Sequence, residues 1–241
     1  MQPDSSTLLR KIDLDMPLIG FYDVPDTRPF EPVVRPEAGK HVCLFAFFVR
    51  WLDGYTVHIT RENYGCGGAG HWLCDVTTRS RDDYLKFLVG DEGLKSSREL
   101  MGKWFDHHRP YQQEHPHLMI GPLKADQYDY CKTVTFFVNP DQLSALMIGA
   151  NYHAGPDDRP AVIAPFGSGC MELVTLFEDL SVPQAVIGTT DIAMRQYLPP
   201  DILAFTVTVP MFEQLCGLDE KSFLFKPFWK NLRRARGLSK D

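Results

Sequence analysis

The sequence predicts an α+β fold: one compact domain over residues 1–241, with a mixed β-sheet flanked by helices. Three observations predict it. Short apolar runs of strand length alternate with segments of helical period. No low-complexity linker divides the chain. The stretch Phe136-Phe137-Val138-Asn139-Pro140-Asp141-Gln142-Leu143 resembles Phe205-Thr206-Val207-Thr208-Val209-Pro210-Met211-Phe212. That likeness hints at an internal pseudo-repeat of strand–turn–helix units.

Residues 1–11 form a polar lead-in with room for a short helix, and 17–22 predict a first strand. Residues 23–40 are rich in proline and charge and predict a surface loop. Residues 41–52 are densely apolar and stop at Asp53-Gly54, which predicts a buried helix containing Cys43. The alternating run 55–60 predicts a strand. Amphipathic helices are expected over 79–89 and 97–108, broken by Gly90 to Gly93. Strands follow at 118–123 and 133–138. Asn139 before Pro140 is a good start for a helix, because its side chain caps free N–H groups and proline suits the first turn. Further strands are expected at 161–164, 184–187 and 203–209. Residues 223–241 are aromatic, then basic, and are expected to pack their aromatics and leave a solvated basic tail.

Acidic residues outnumber basic ones, 31 to 25, which argues against a nucleic-acid partner. The longest apolar run, 42–52, is interrupted by Arg50 and too short to span a bilayer, so no membrane span is expected. The N-terminal residues lack the apolar core of a secretory signal, so the expected location is the cytoplasm. There Cys43, Cys66, Cys74, Cys131, Cys170 and Cys216 would be thiols or metal ligands rather than disulfides.

Two glycine-rich turns carry cysteine. In Phe166-Gly167-Ser168-Gly169-Cys170-Met171-Glu172, an apolar run enters, and Leu173, Leu176, Phe177 and Leu180 leave at helical spacing. Cys170 would then lie in the first turn of a helix, where free N–H groups lower a thiol's pKa. The plainer reading is a small buried filler at a strand–helix corner. The second turn is Tyr64-Gly65-Cys66-Gly67-Gly68-Ala69-Gly70. His107, His108, His115 and His117 are dense, but Pro110 and Pro116 interrupt them, so a solvated loop is expected there rather than a metal site.

Together these stretches resemble the DUF169 family from about residue 17 to 215. The resemblance rests on His41-Val42-Cys43-Leu44-Phe45, Cys66-Gly67-Gly68-Ala69, Gly121-Pro122-Leu123, Asn139-Pro140 and Gly167-Ser168-Gly169-Cys170. It implies a bacterial or archaeal cytoplasmic protein with no assigned reaction, and it matches Cys43, Cys66 and Cys170 to family cysteine positions.

Three readings of function follow. If Cys43, Cys66 and Cys170 converge, three thiolates suit an iron–sulfur cluster or zinc, with a Lewis-acid or redox role. Cys74, His71, a substrate or water would be the fourth ligand, and a redox protein the partner. In the second reading, Gly67, Gly68, Gly167, Ser168 and Gly169 line a pocket for an anionic small molecule at helix N-termini, without catalysis. In the third, Cys170 is a catalytic nucleophile, with Glu172, His71 or His58 as base. The lysine of a phosphate loop is absent from both turns, which speaks against nucleotide hydrolysis.

Overall fold

The computed structural model describes residues 1–238. Its eight strands are β1 (Ile19–Val24), β2 (Val33–Val34), β3 (Thr56–Ile59), β4 (His117–Pro122), β5 (Cys131–Val138), β6 (Val162–Ile163), β7 (Ala185–Gly188) and β8 (Leu203–Thr208). They form one mixed sheet in the order β2-β3-β4-β1-β5-β8-β7-β6. The helices are α1 (Ser6–Ile12), α2 (Phe48–Leu52), α3 (Gly67–Cys74), α4 (Arg81–Lys86), α5 (Arg98–His107), α6 (Pro140–Ala150), α7 (Gly169–Glu172), α8 (Ile192–Arg195), α9 (Val209–Cys216) and α10 (Pro227–Ala235). The α+β expectation holds.

Side chains alternate along each strand, so the sheet has two apolar faces and a layer on each. Val134, Phe136, Val138, Phe205 and Val207 face a core completed by α1, α6, α9 and α10. Ile19, Phe21, Val57, Ile120, Phe137 and Ala204 face the other core, completed by segments 44–52, 69–74 and 170–177. All three cysteines singled out above belong to this second layer, Cys170 buried and Cys43 and Cys66 packed at its margin. The Asn139 corner forms as expected: its side chain accepts from the Gln142 N–H, and Gln142 reaches back to the Asn139 N–H. At the second corner Thr208 plays the capping part, accepting from the Met211 N–H.

The strand order reads the same from both ends. Exchanging β1 with β5, β2 with β6, β3 with β7 and β4 with β8 reverses it onto itself. The pairing senses agree: β1–β4 and β5–β8 are antiparallel, as are β3–β4 and β7–β8, while β2–β3 and β6–β7 are parallel. The two halves meet at the antiparallel β1–β5 pair. The repeat is therefore a half-sheet of four strands related by a pseudo-twofold axis. The two similar corners lie on adjacent strands, β5 and β8, within one half.

Four local expectations are corrected. No single helix spans 41–52: Cys43 caps a 3₁₀ turn (Leu44–Phe47) that runs on into α2. Helix α7 stops at Glu172, so the helical spacing of Leu173 to Leu180 marks turns packed into the core rather than a helix. The proline-rich segment 23–40 is not all surface, because it contains β2 and the fully buried Phe30. The C-terminal segment packs Trp229, whose indole N–H donates to the Lys11 carbonyl, and leaves Lys226, Arg234 and Arg236 exposed, but Arg233 departs from the expectation: it is buried in a two-point ion pair with Asp13. Residues 239–241 of that expected tail lie outside the described residues.

Candidate functional site

The connections β2→β3, β3→β4 and β6→β7 bring Cys43, Cys66 and Cys170 to one place. The Cys66 turn forms because Gly65 adopts φ +81°, a left-handed backbone that side chains resist. A Cβ there would also sit 2.6 Å from the Val42 carbonyl. That close approach seats Cys66 beside the Cys43 segment. The Thr78 hydroxyl and the Tyr84 hydroxyl then donate to the Gly67 carbonyl, at 3.2 and 2.9 Å, and fix the turn from outside. Cys66 is the N-cap of α3, its sulfur accepting from the Ala69 N–H at 3.5 Å. Helix α3 packs on α7, which carries Cys170.

Gly68 lies between the sulfurs. A Cβ there would be 3.6 Å from the Cys170 Sγ, 3.8 Å from the Cys66 Sγ and 4.0 Å from the Ser168 Oγ. The two sulfurs therefore cannot be farther apart than the sum of the first two distances. The Ser168 Oγ is 3.2 Å from the Cys170 Sγ. Cys43 joins the group: the charge of Cys66 raises its pKa, and its own charge adds to the raising of Cys170.

The other glycines have different neighbours. A Cβ on Gly67 would meet Thr78, one on Gly167 would meet Leu176, and one on Gly169 would meet Met194 and Phe45. Those three positions serve close packing behind the turns, and Gly68 is the one facing the thiols.

The electrostatics run opposite to the helix-terminus expectation. Burial pushes the Cys170 thiol well above its ordinary pKa, with Cys66, Cys43 and Asp191 adding to the effect against a lowering contact from Ser168. Cys43 is pushed up to about 11, again chiefly by burial, while N–H groups of Phe45 and Ala46 pull it down. A four-residue helix has little dipole to offset desolvation. Glu172, a candidate base, is buried, and its carboxylate accepts from the Thr189 N–H. His71 stacks on Phe105, and Cys74, at the far end of α3, has Arg61 and Glu62 as its charged neighbours. Among the described residues, no group of three or more His, Cys, Asp or Glu side chains could hold a metal ion as it stands. All six cysteines are free thiols. No helix among the described residues is long and apolar enough to cross a membrane.

The four clustered histidines separate into two pairs: His107 and His108 touch, and His115 and His117 line one cleft. His107 and His108 end α5, and His108 Nδ1 lies 2.8 Å from the Trp104 carbonyl. His115 packs on Tyr130. His117, in β4, meets His58 beside a cleft of about 540 Å³ that Arg61, Asp75 and Tyr111 also line. The Arg35 Nε–H donates to His58 Nδ1 at 2.8 Å, which leaves Nε2 to donate to His117 Nδ1 at 3.2 Å. Burial, then the charges of Arg35 and His117, lower the His58 pKa to about 4. The unfolded chain, with an ordinary histidine, binds more protons than the folded one between about pH 6.5 and 4. Stability should therefore fall as pH drops through that window, by on the order of 2 kcal/mol. Urea denaturation of wild type and His58→Gln at pH 7 and pH 4.5 checks this: the variant should lose less stability on acidification, and equal losses would contradict it.

The sequence profile of the DUF169 family, described as an uncharacterised ArCR, matches residues 7–217. No curated protein matches the chain, and no solved structure does. The match covers both halves of the sheet and all three converging cysteines, so the chain belongs to the DUF169 family.

Proposed function

We propose that this protein binds a thiolate-ligated metal group through Cys43, Cys66 and Cys170, an iron–sulfur cluster in the first place and zinc in the second. One observation carries the reading: the sulfurs of Cys66 and Cys170, far apart in sequence, both lie beside Gly68, and the Cys43 segment packs against the Cys66 turn. Thiolates are soft ligands suited to both groups. Burial and neighbouring charge disfavour the thiolates of Cys170 and Cys43, and a cation would offset that cost. Thiolates around a single zinc ion lie within roughly 4 Å of one another, closer than around a cluster. The limit that Gly68 sets on the Cys66–Cys170 sulfur separation admits either spacing. A cluster held by three cysteines leaves one position for another ligand, which is the chemical basis for a redox or Lewis-acid role.

A second reading, an anionic small molecule at the Cys66 turn, has one observation in its favour. A basin of about 200 Å³ borders Gly65 and Gly67, with Lys40, His41 and Arg79 on its wall, although Glu37 and Glu62 share it. Cys170 as a nucleophile is less well supported, because burial favours its protonated form and its hydroxyl neighbour is Ser168 rather than a base.

Protein purified without air and reconstituted with ferrous iron and sulfide should show broad visible charge-transfer absorption and bound iron. Serine at any of the three positions should weaken both, and serine at all three should abolish them. Retention by the triple variant, or wild type that holds neither iron nor zinc, would overturn the reading. Because the thiols must lose protons, affinity should rise with pH, by up to about tenfold per unit for each proton released.

A further inference from the structure

We infer that the cleft at one end of the β3–β4 pair binds a small amino acid as its zwitterion, with the carboxylate toward Arg61 and His117 and the ammonium toward Asp75. The site is separate from the cysteines and does not rest on the metal reading. Three segments wall the cleft: the residues after β3, the end of α3 and the loop before β4. Its volume of about 540 Å³ is in the range of pockets that hold small molecules. The loop before β4 is held in place by Asp23, which is fully buried in β1. The Asp23 carboxylate accepts from the Glu114 N–H at 2.7 Å, the His115 N–H at 2.9 Å and the Tyr111 hydroxyl at 3.0 Å. The Tyr111 N–H donates to the Trp72 carbonyl at 2.8 Å, which ties that loop to α3.

One pole of the cleft donates. Arg61 follows closely on the last β3–β4 partners, Ile59 and Leu118, and forms no ion pair among the described residues. Glu62 and Asp75 line the same cleft, but the Glu62 carboxylate accepts instead from the Thr60 hydroxyl at 2.8 Å. His117 adds a donor of fixed sense. A guanidinium N–H can only donate, so His58 Nδ1, 2.8 Å from Arg35 Nε, carries no proton. The His58 proton is then on Nε2 and is donated to His117 Nδ1 at 3.2 Å. The single proton of a neutral His117 is therefore on Nε2, on the side of the ring away from buried His58 and toward the cleft that His117 lines. The other pole accepts. Asp75 ends α3 in a left-handed backbone, φ 51°, where the free carbonyls of the helix add negative potential to its carboxylate. A simple anion would face Asp75 and Glu62 unmatched, and a simple cation would face Arg61. A molecule carrying both charges answers both poles.

The test titrates full-length protein calorimetrically with each of the protein-forming amino acids, and with acetate and methylammonium as the separate poles. At least one amino acid should bind with a Kd below about 1 mM, and acetate and methylammonium at least about tenfold more weakly. Arg61→Gln and Asp75→Asn should each weaken that amino acid by about tenfold or more. Both side chains are exposed, and asparagine tolerates the left-handed backbone at position 75, so both variants should fold. Arg79→Gln, in the basin beside Gly65 and Gly67, should bind as wild type does. Ring-nitrogen magnetic resonance should show neutral His117 protonated at Nε2, with that nitrogen shifting as the amino acid is added. Wild type that binds no amino acid would overturn the inference, as would Arg61→Gln and Asp75→Asn variants that bind as tightly as wild type. Acetate that matches the best amino acid would overturn the two-pole site.

Discussion

Replacing Phe137 with alanine should cost about 3–5 kcal/mol of stability, the largest single-residue effect expected here. Phe137 is fully buried on the cysteine-bearing face of β5. Phe48 meets its ring edge-on at 4.8 Å and Trp51 stacks on it at 6.1 Å, with Phe45 at 6.5 Å. All three partners come from the segment that follows Cys43, so the ring fastens that segment to the sheet. Truncation would leave a cavity that stacked aromatics close poorly. Chemical denaturation measures the loss, and a change under about 1 kcal/mol would mean that the cluster repacks freely. Metal retention should weaken in the same variant, because the Cys43 loop loses its anchor.

Asp13→Ala should cost about 2–3 kcal/mol, less than a fully buried ion pair because the carboxylate keeps some contact with water. Its two oxygens accept from Arg233 at 2.6 and 2.7 Å, and the arginine side chain is only 9% exposed. Removing the carboxylate takes a two-point partner from a guanidinium that is almost buried. The melting temperature should drop by roughly 5–10 °C in a chain of this size. Converting Arg233 to methionine in the same protein should recover part of the loss, and a double variant no better than the single one would show that charge burial is not the cause.

The strands were legible because their apolar content and alternation depend on neighbours within the strand. Val134, Phe136 and Val138 show it, each facing one core, with Phe137 facing the other. The Asn139 cap was legible for the same reason, since its hydrogen bonds close within four residues. Other features depended on tertiary contacts. Leu173, Leu176 and Phe177 have helical spacing, yet the chain turns after Glu172, whose carboxylate is held by the end of β7. Arg233 was expected in solvent with its basic neighbours because nothing local predicts that Asp13, 220 residues away, would meet it. Cys66 and Cys170 could be named from their glycine-rich turns and Cys43 from the apolar stretch His41 to Phe45, but the raised pKa values of Cys43 and Cys170 arise only after folding. The half-sheet repeat was also missed, because its two copies have diverged in sequence while keeping strand order.

The palindromic strand order also says something about ancestry. A chain half this long would carry four strands and end its sheet at β1, with that edge uncovered. An exposed edge strand pairs readily with its own copy. Two such chains joined β1 to β1 would rebuild the present sheet as a homodimer, with identical ligand positions contributed by each subunit. Joining two such genes end to end would free the halves from identity, so that a residue on one side could change while its counterpart stayed. Cysteines in both halves, Cys43 and Cys66 on one side and Cys170 on the other, are what that history would leave behind.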